Sequence, residues 1–165
     1  MKKIMLLIAI CGLAVSCSQK EVKKQEIVQE AKVEATDSQE EKMFGSEGSD
    51  YGKAGELKTV NFDYDKSELT SNAKSILNTN ATWLKNNENV IIQIEGHCDS
   101  KGTIEYNLAL GEKRALTVKK YLEKLGVVSK KLNTISYGEE KPLDIAETDS
   151  AYAKNRRANF VIISK

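Results

Sequence analysis

Three side chains capable of chemistry stand in a row at His97-Cys98-Asp99, inside the stretch EGHCDSKGTIEYNLALGEKRA that runs from Glu95 to Ala115. An imidazole, a thiol and a carboxylate side by side suit a metal site or a thiol nucleophile with a basic partner. A zinc site requires three or four His, Cys or carboxylate ligands held by the surrounding fold. His97 is the one histidine of the chain, and no Asp or Glu recurs at a ligand-like spacing from the triplet. Consecutive residues of a strand also point to opposite faces. His97 and Cys98 therefore neither chelate one ion together nor form the hydrogen-bonded pair that activates a thiol. The expectation is no metal, no cofactor and no catalysis, with His97 a hydrogen-bonded framework residue at a strand end and Cys98 a small side chain packed under helices.

Asp99 differs, because it sits where a strand stops and the loop SKGT begins, the usual place for exposed functional groups in α/β folds. Arg114 lies early in the helix that follows, and a chain reversing at Gly102 brings that helix beside the strand end. Asn107 is two helical turns before Arg114 on the same face. Spacing alone leaves two readings of Asp99 and Arg114 open: an ion pair bracing the loop, or a charge pair turned toward a ligand.

The elements that must position these groups follow from periodicity. KTVNFDYD alternates, with Val60, Phe62 and Tyr64 on one face, and reads as a strand. SELTSNAKSILNTNATWLKNN reads as a helix capped by Thr70 or Ser71, burying Ala73, Ile76, Leu77 and Leu84. NVIIQIEGH is a second, central strand. A long helix over about residues 103–125 carries Leu108, Ala115, Val118, Leu122 and Leu125 on one face and ends at Gly126. KLNTISYG and ANFVIIS are further strands, with a short helix near 150–155 between them. This alternation predicts an α/β sandwich, one small sheet with helices on one face; strand order is not legible in it.

The N-terminal residues MKKIMLLIAICGLAVSCSQ have two lysines, a short apolar run and small residues before Cys17, the layout of a secretory signal peptide over residues 1–16. The sequence Leu13-Ala14-Val15-Ser16 before Cys17 resembles a bacterial lipobox, despite Ala14 where leucine is commoner; it marks Cys17 for acylation and anchorage to membrane lipid. Ser18 after it favours the outer membrane. Loss of Cys11 with the signal leaves Cys98 without a disulfide partner. Residues 17–55, rich in Glu, Lys, Gln and Ser, read as the lipidated N-terminus and a flexible tether, and residues 56–165 as the domain. Formal charge is +1 for the whole chain and +1 − 2 = −1 without Lys2 and Lys3. So balanced a chain is no obvious polyanion binder, and nucleic acid is not expected as a partner.

IEGHCDSKGTIEYNLALGEKRALTVKKYLEKLGV, ISYGEEKP and AKNRRANFVI, with FDYDKSEL ahead of them, resemble the OmpA-like C-terminal domain family from about Val60 to the end. Gly111 and the lipobox fit the family's lipoproteins rather than its barrel-linked members. The resemblance implies a β-α-β-α-β fold and non-covalent binding of peptidoglycan through the diaminopimelate of its peptide stem, in the periplasm. It carries the family's aspartate and arginine onto Asp99 and Arg114, and places Asn107 near the ligand. It implies that Arg156 or Arg157 meets the terminal carboxylate and that Asp63 and Asp65 border the pocket. It also implies docking to TolB, the β-propeller of the Tol system, and so a part in envelope integrity and cell division.

Overall fold

The computed structural model describes residues 48–164. The expected signal peptide, the expected lipidation site Cys17 and most of the expected tether lie outside the described residues. The elements are β1 (Val60–Asn61), α1 (Ser71–Asn86), β2 (Ile91–His97), α2 (Ile104–Lys124), β3 (Leu132–Gly138), α3 (Asp149–Asn155) and β4 (Arg157–Ser164). They build one four-stranded sheet in the order β1-β4-β2-β3, with β2 and β3 parallel and β4 antiparallel to both of its neighbours. The expected α/β sandwich is thus formed.

Alternation along the two central strands divides the sheet chemically. Ile92, Ile94, Ala158 and Phe160 join a core with Ala73, Leu77, Ala81 and Leu84 of α1 and Ala115, Val118 and Leu122 of α2. Glu95, His97, Arg157 and Asn159, each one residue out of phase, are buried on the other face. Helix α2 comes so close to the sheet that a Cβ on Gly96 would lie 1.9 Å from the Gly111 carbonyl oxygen. The two glycines allow strand and helix backbones to touch, which sets where α2 starts relative to the end of β2.

Local signals place the helix ends. Thr70 and Thr103 accept from the Ala73 and Tyr106 amides as N-caps. After α2, Gly126 takes φ 92° while its amide donates to Glu123 O and the Val127 amide to Leu122 O, a Schellman closure that buries Val127. Ile76, Leu108 and Leu125, expected in buried stripes, are half-buried.

Two expectations are corrected. The first strand pairs over Val60–Asn61 alone: Val60 and Phe62 are buried, but Tyr64 is 59% exposed because the chain turns over Asp63–Lys66, with Asp65 at φ 56°. Part of residues 48–55, read as the end of the tether, packs on the domain: Gly48 pairs with Val161 and Ala54 is buried, while residues 51–53 are exposed. Small polar residues look like linker in composition, yet here their polar groups are satisfied by β4 and Thr59.

Candidate functional site

Where β2 ends, the chain leaves the sheet at Asp99, reverses through Gly102 and enters α2. A cleft of about 420 Å³ opens there. Asp99, Arg114, Asn107 and Leu110 line it, with Tyr64, Asp65, Lys101, Thr103 and Tyr106 around them. Asp99 is 4% exposed; its Oδ1 accepts from the Lys101 amide at 3.3 Å and its Oδ2 from Arg156 Nη1 at 2.9 Å. A carboxylate has about four acceptor positions, so it keeps capacity for a further donor.

Arg114 is buried, and an ion pair with Asp99, one of the two readings that spacing left open, is not what holds it. Its Nε donates to Lys66 O at 2.8 Å, its Nη1 to His97 O at 2.8 Å and to Cys98 Sγ at 3.2 Å, and its Nη2 to Asp63 O at 3.3 Å. The Phe62 ring lies 5.2 Å from the guanidinium carbon. Arg114 therefore staples the β1–α1 turn to the end of β2. Four of its five N–H groups are used there, which leaves one. Burial pulls its pKa below the usual guanidinium value, opposed by Cys98 and Asp99 beside it.

Asn107 and Arg114 share the buried face of α2 as expected. The Asn107 amide nitrogen donates to Asp99 O and Lys101 O, both at 3.2 Å, and to the Glu139 carboxylate. It binds the 99–101 loop to α2 and to the end of β3. Asp65 lines the cleft and accepts the Tyr106 hydroxyl, whereas Asp63 offers its carbonyl to Arg114 and turns its carboxylate out to Lys66. Of the adjacent arginines, Arg156 reaches Asp99. Arg157 goes to the opposite sheet face, 2.7 Å from Asp50 Oδ2, and takes no part in the cleft. Consecutive residues entering a strand must part in this way.

His97 and Cys98 face opposite ways. The His97 ring stacks at 5.6 Å on Tyr137 and lies 3.7 Å from Glu95 Oε2, while the Cys98 thiol donates to Asn107 O under α2. Burial holds His97 below the ordinary imidazole value, against the opposing effect of Glu95. Burial pushes the Cys98 thiol up to about 11, so it is a protonated, packed group at neutral pH. The expectation that His97 is hydrogen-bonded is corrected: among the described residues neither ring nitrogen makes a hydrogen bond of normal length, and Glu95 Oε2 stands off at 3.7 Å. Among the described residues no three His, Cys, Asp or Glu side chains gather as a metal ion would need.

Sequence reasoning missed Lys101, Tyr106 and Tyr64. Lys101 Nζ lies 5.4 Å from the Tyr64 ring centroid and 4.5 Å from that of Tyr152, with Asp149 at 3.8 Å, so it bridges the cleft rim to α3. Its position two residues after Asp99, in the same loop, was the available signal.

Fold and cleft together define a small α/β domain with a charged cleft, whose floor is assembled from a strand end, a helix face and a distant arginine. The chain belongs to the OmpA family, whose model matches residues 61–156. It is 46% identical over 100 residues to the peptidoglycan-associated lipoprotein of Haemophilus influenzae, covering 61% of this chain and 65% of that one. Against the protein of that name from Brucella melitensis the identity is 42% over 101 residues, covering 61% and 60%. The match thus spans somewhat less than two thirds of either relative. A crystal structure of the peptidoglycan-associated lipoprotein from Burkholderia pseudomallei superposes with a TM-score of 0.61 at 38% identity, over 63% of this chain and 88% of that one. The C-terminal domain of Helicobacter pylori MotB, 20% identical with a TM-score of 0.62 over 66% and 86% of the two chains, shares the fold.

Proposed function

We propose that this protein is a cell-envelope lipoprotein that binds peptidoglycan non-covalently and does no chemistry on it. The observation that carries the reading is the buried Asp99 carboxylate on the cleft floor, with an acceptor position open and guanidinium groups beside it. A diaminopimelate stem ends in an ammonium and a carboxylate on one carbon, and each charge must be met as water leaves. Asp99 receives the ammonium; the remaining N–H of Arg114 and the Lys101 ammonium receive the carboxylate. Asn107 and Arg156 hold the aspartate and its loop in place, and Asp65 with Tyr106 closes the side. The relatives named peptidoglycan-associated lipoproteins support this substrate class. The protonated, buried Cys98 supports binding over catalysis.

The same reading extends to the whole chain. Residues 1–16 are the signal, an acylated Cys17 anchors the chain in the outer membrane, and the segment up to Gly48 leads to a periplasmic domain that ties membrane to wall. As the Pal component of a Tol-Pal system it docks TolB and serves envelope integrity during cell division. The deciding experiment is sedimentation of the protein with purified peptidoglycan, wild type beside Asp99→Ala. Removing one partner of a desolvated charge pair costs about 2–5 kcal/mol, so the variant should remain in the supernatant. Equal retention of both proteins would sink the assignment.

A further inference from the structure

Arg156 and Arg157 are neighbours in sequence that serve opposite faces of the sheet, and each has an aspartate. On the cleft side Arg156 Nη1 holds Asp99 at 2.9 Å, and its Nε donates to Phe62 O at 3.2 Å. On the far side Arg157 Nε holds Asp50 at 2.7 Å, with both side chains at most 4% exposed. Arg157 also donates to Asn155 O and Lys141 O, and so clamps the junction between α3 and β4. Asp50 belongs to a strap at the start of the described chain. Gly48 pairs with Val161, Ser49 Oγ accepts the Phe160 amide, the Asp50 amide donates to Asn159, and Thr59 donates to Asp50 Oδ1. The strap fills the edge of β4 that the two-residue β1 leaves uncovered.

We infer that this strap is coupled to the cleft: Asp50 and Arg157 are positioning residues that set Arg156 against Asp99, so that release of the strap weakens ligand binding. The physical reason is the cost of a buried guanidinium without a counter-charge. Once Asp50 leaves, Arg157 must turn toward water, and the backbone of residues 155–157 turns with it. Arg156 is the next residue, and its grip on Asp99 depends on that backbone. By linkage the effect is reciprocal, and occupation of the cleft must hold the strap down. A strap of purely structural importance does not answer to a ligand on the opposite face of the sheet. The coupling joins the point where residues 1–47 enter the domain to the site that grips the wall, and it rests on the peptidoglycan reading above.

The test uses the full chain in detergent micelles and a disaccharide tetrapeptide containing diaminopimelate. Asp50→Ala should weaken binding by about 5-fold or more, and should add nothing on an Arg156→Ala background, because the path runs through Arg156. Saturating wild type with the same muropeptide should slow amide hydrogen exchange at residues 48–51. That measurement needs no variant, so it decides the matter even where Asp50→Ala fails to fold. Binding by Asp50→Ala equal to or tighter than wild type, or unchanged exchange at 48–51 in the saturated protein, overturns the coupling and leaves the binding function standing. Absence of any binding by wild type overturns both.

Discussion

Replacing Arg114 by lysine separates two roles for this side chain, brace of the fold or dedicated ligand group. The guanidinium is buried at the cleft floor and donates to groups on two separate segments, Asp63 O and Lys66 O in the β1–α1 turn, and His97 O and Cys98 Sγ at the end of β2. Lysine keeps the charge but carries its donors on a single nitrogen, which reaches one segment and abandons the other. Two carbonyls of the turn then lose a charged donor. Such bonds contribute roughly 1.5–3 kcal/mol each; with partial rehydration of the turn, about 3 kcal/mol of destabilisation is expected. For a domain of this size that lowers the thermal midpoint by roughly 10 °C and shifts the urea midpoint with an unchanged m value. Muropeptide binding, measured where the variant is still folded, weakens as well, because the fifth N–H is gone. A variant with the wild-type midpoint and no binding would refute the brace: Arg114 would then be spent on ligand alone.

Two other perturbations probe the packing and the buried imidazole. Gly96→Ala puts a Cβ 1.9 Å from Gly111 O, and since neither backbone can rotate aside, α2 must lift from β2; a loss of about 3 kcal/mol or more in denaturant unfolding is expected. The folded-state pKa of His97 lies below its ordinary value of 6.5, so under mildly acidic conditions the unfolded chain binds more protons than the folded one. Its contribution is fully present above pH 6.5 and declines as pH falls through that value. Urea midpoints at pH 7.5 and 5.5 should show the drop, and His97→Gln should reduce it.

The legible part of this protein is the part that local chemistry governs. Thr70 and Thr103 cap helices because a hydroxyl reaches an amide three residues on, and Gly126 closes α2 because it accepts a positive φ. Ile92 and Ile94, or Ala115, Val118 and Leu122, reveal their faces through a period that needs only one element. Composition misled where it stood in for contact, as at Gly48–Asp50, whose linker-like residues are tied down by side chains more than a hundred positions away. Tyr64 misled for a related reason: alternation continued in the residue types after the backbone had left the ladder.

By itself the sequence determined the three longer strands, the helices with their caps, the framework character of Cys98, and the placing of Asp99 at a strand end beside a helix carrying Asn107 and Arg114. Tertiary structure alone decided how the charges were shared out. Asp99 takes Arg156, 57 positions away, because the order β1-β4-β2-β3 sets the start of β4 beside the end of β2. The register that pairs Asn61 with Arg157 sends one arginine to the cleft and its neighbour to the strap. Strand order and register are properties of pairing between segments, and no single segment encodes which partner its unpaired edge will meet.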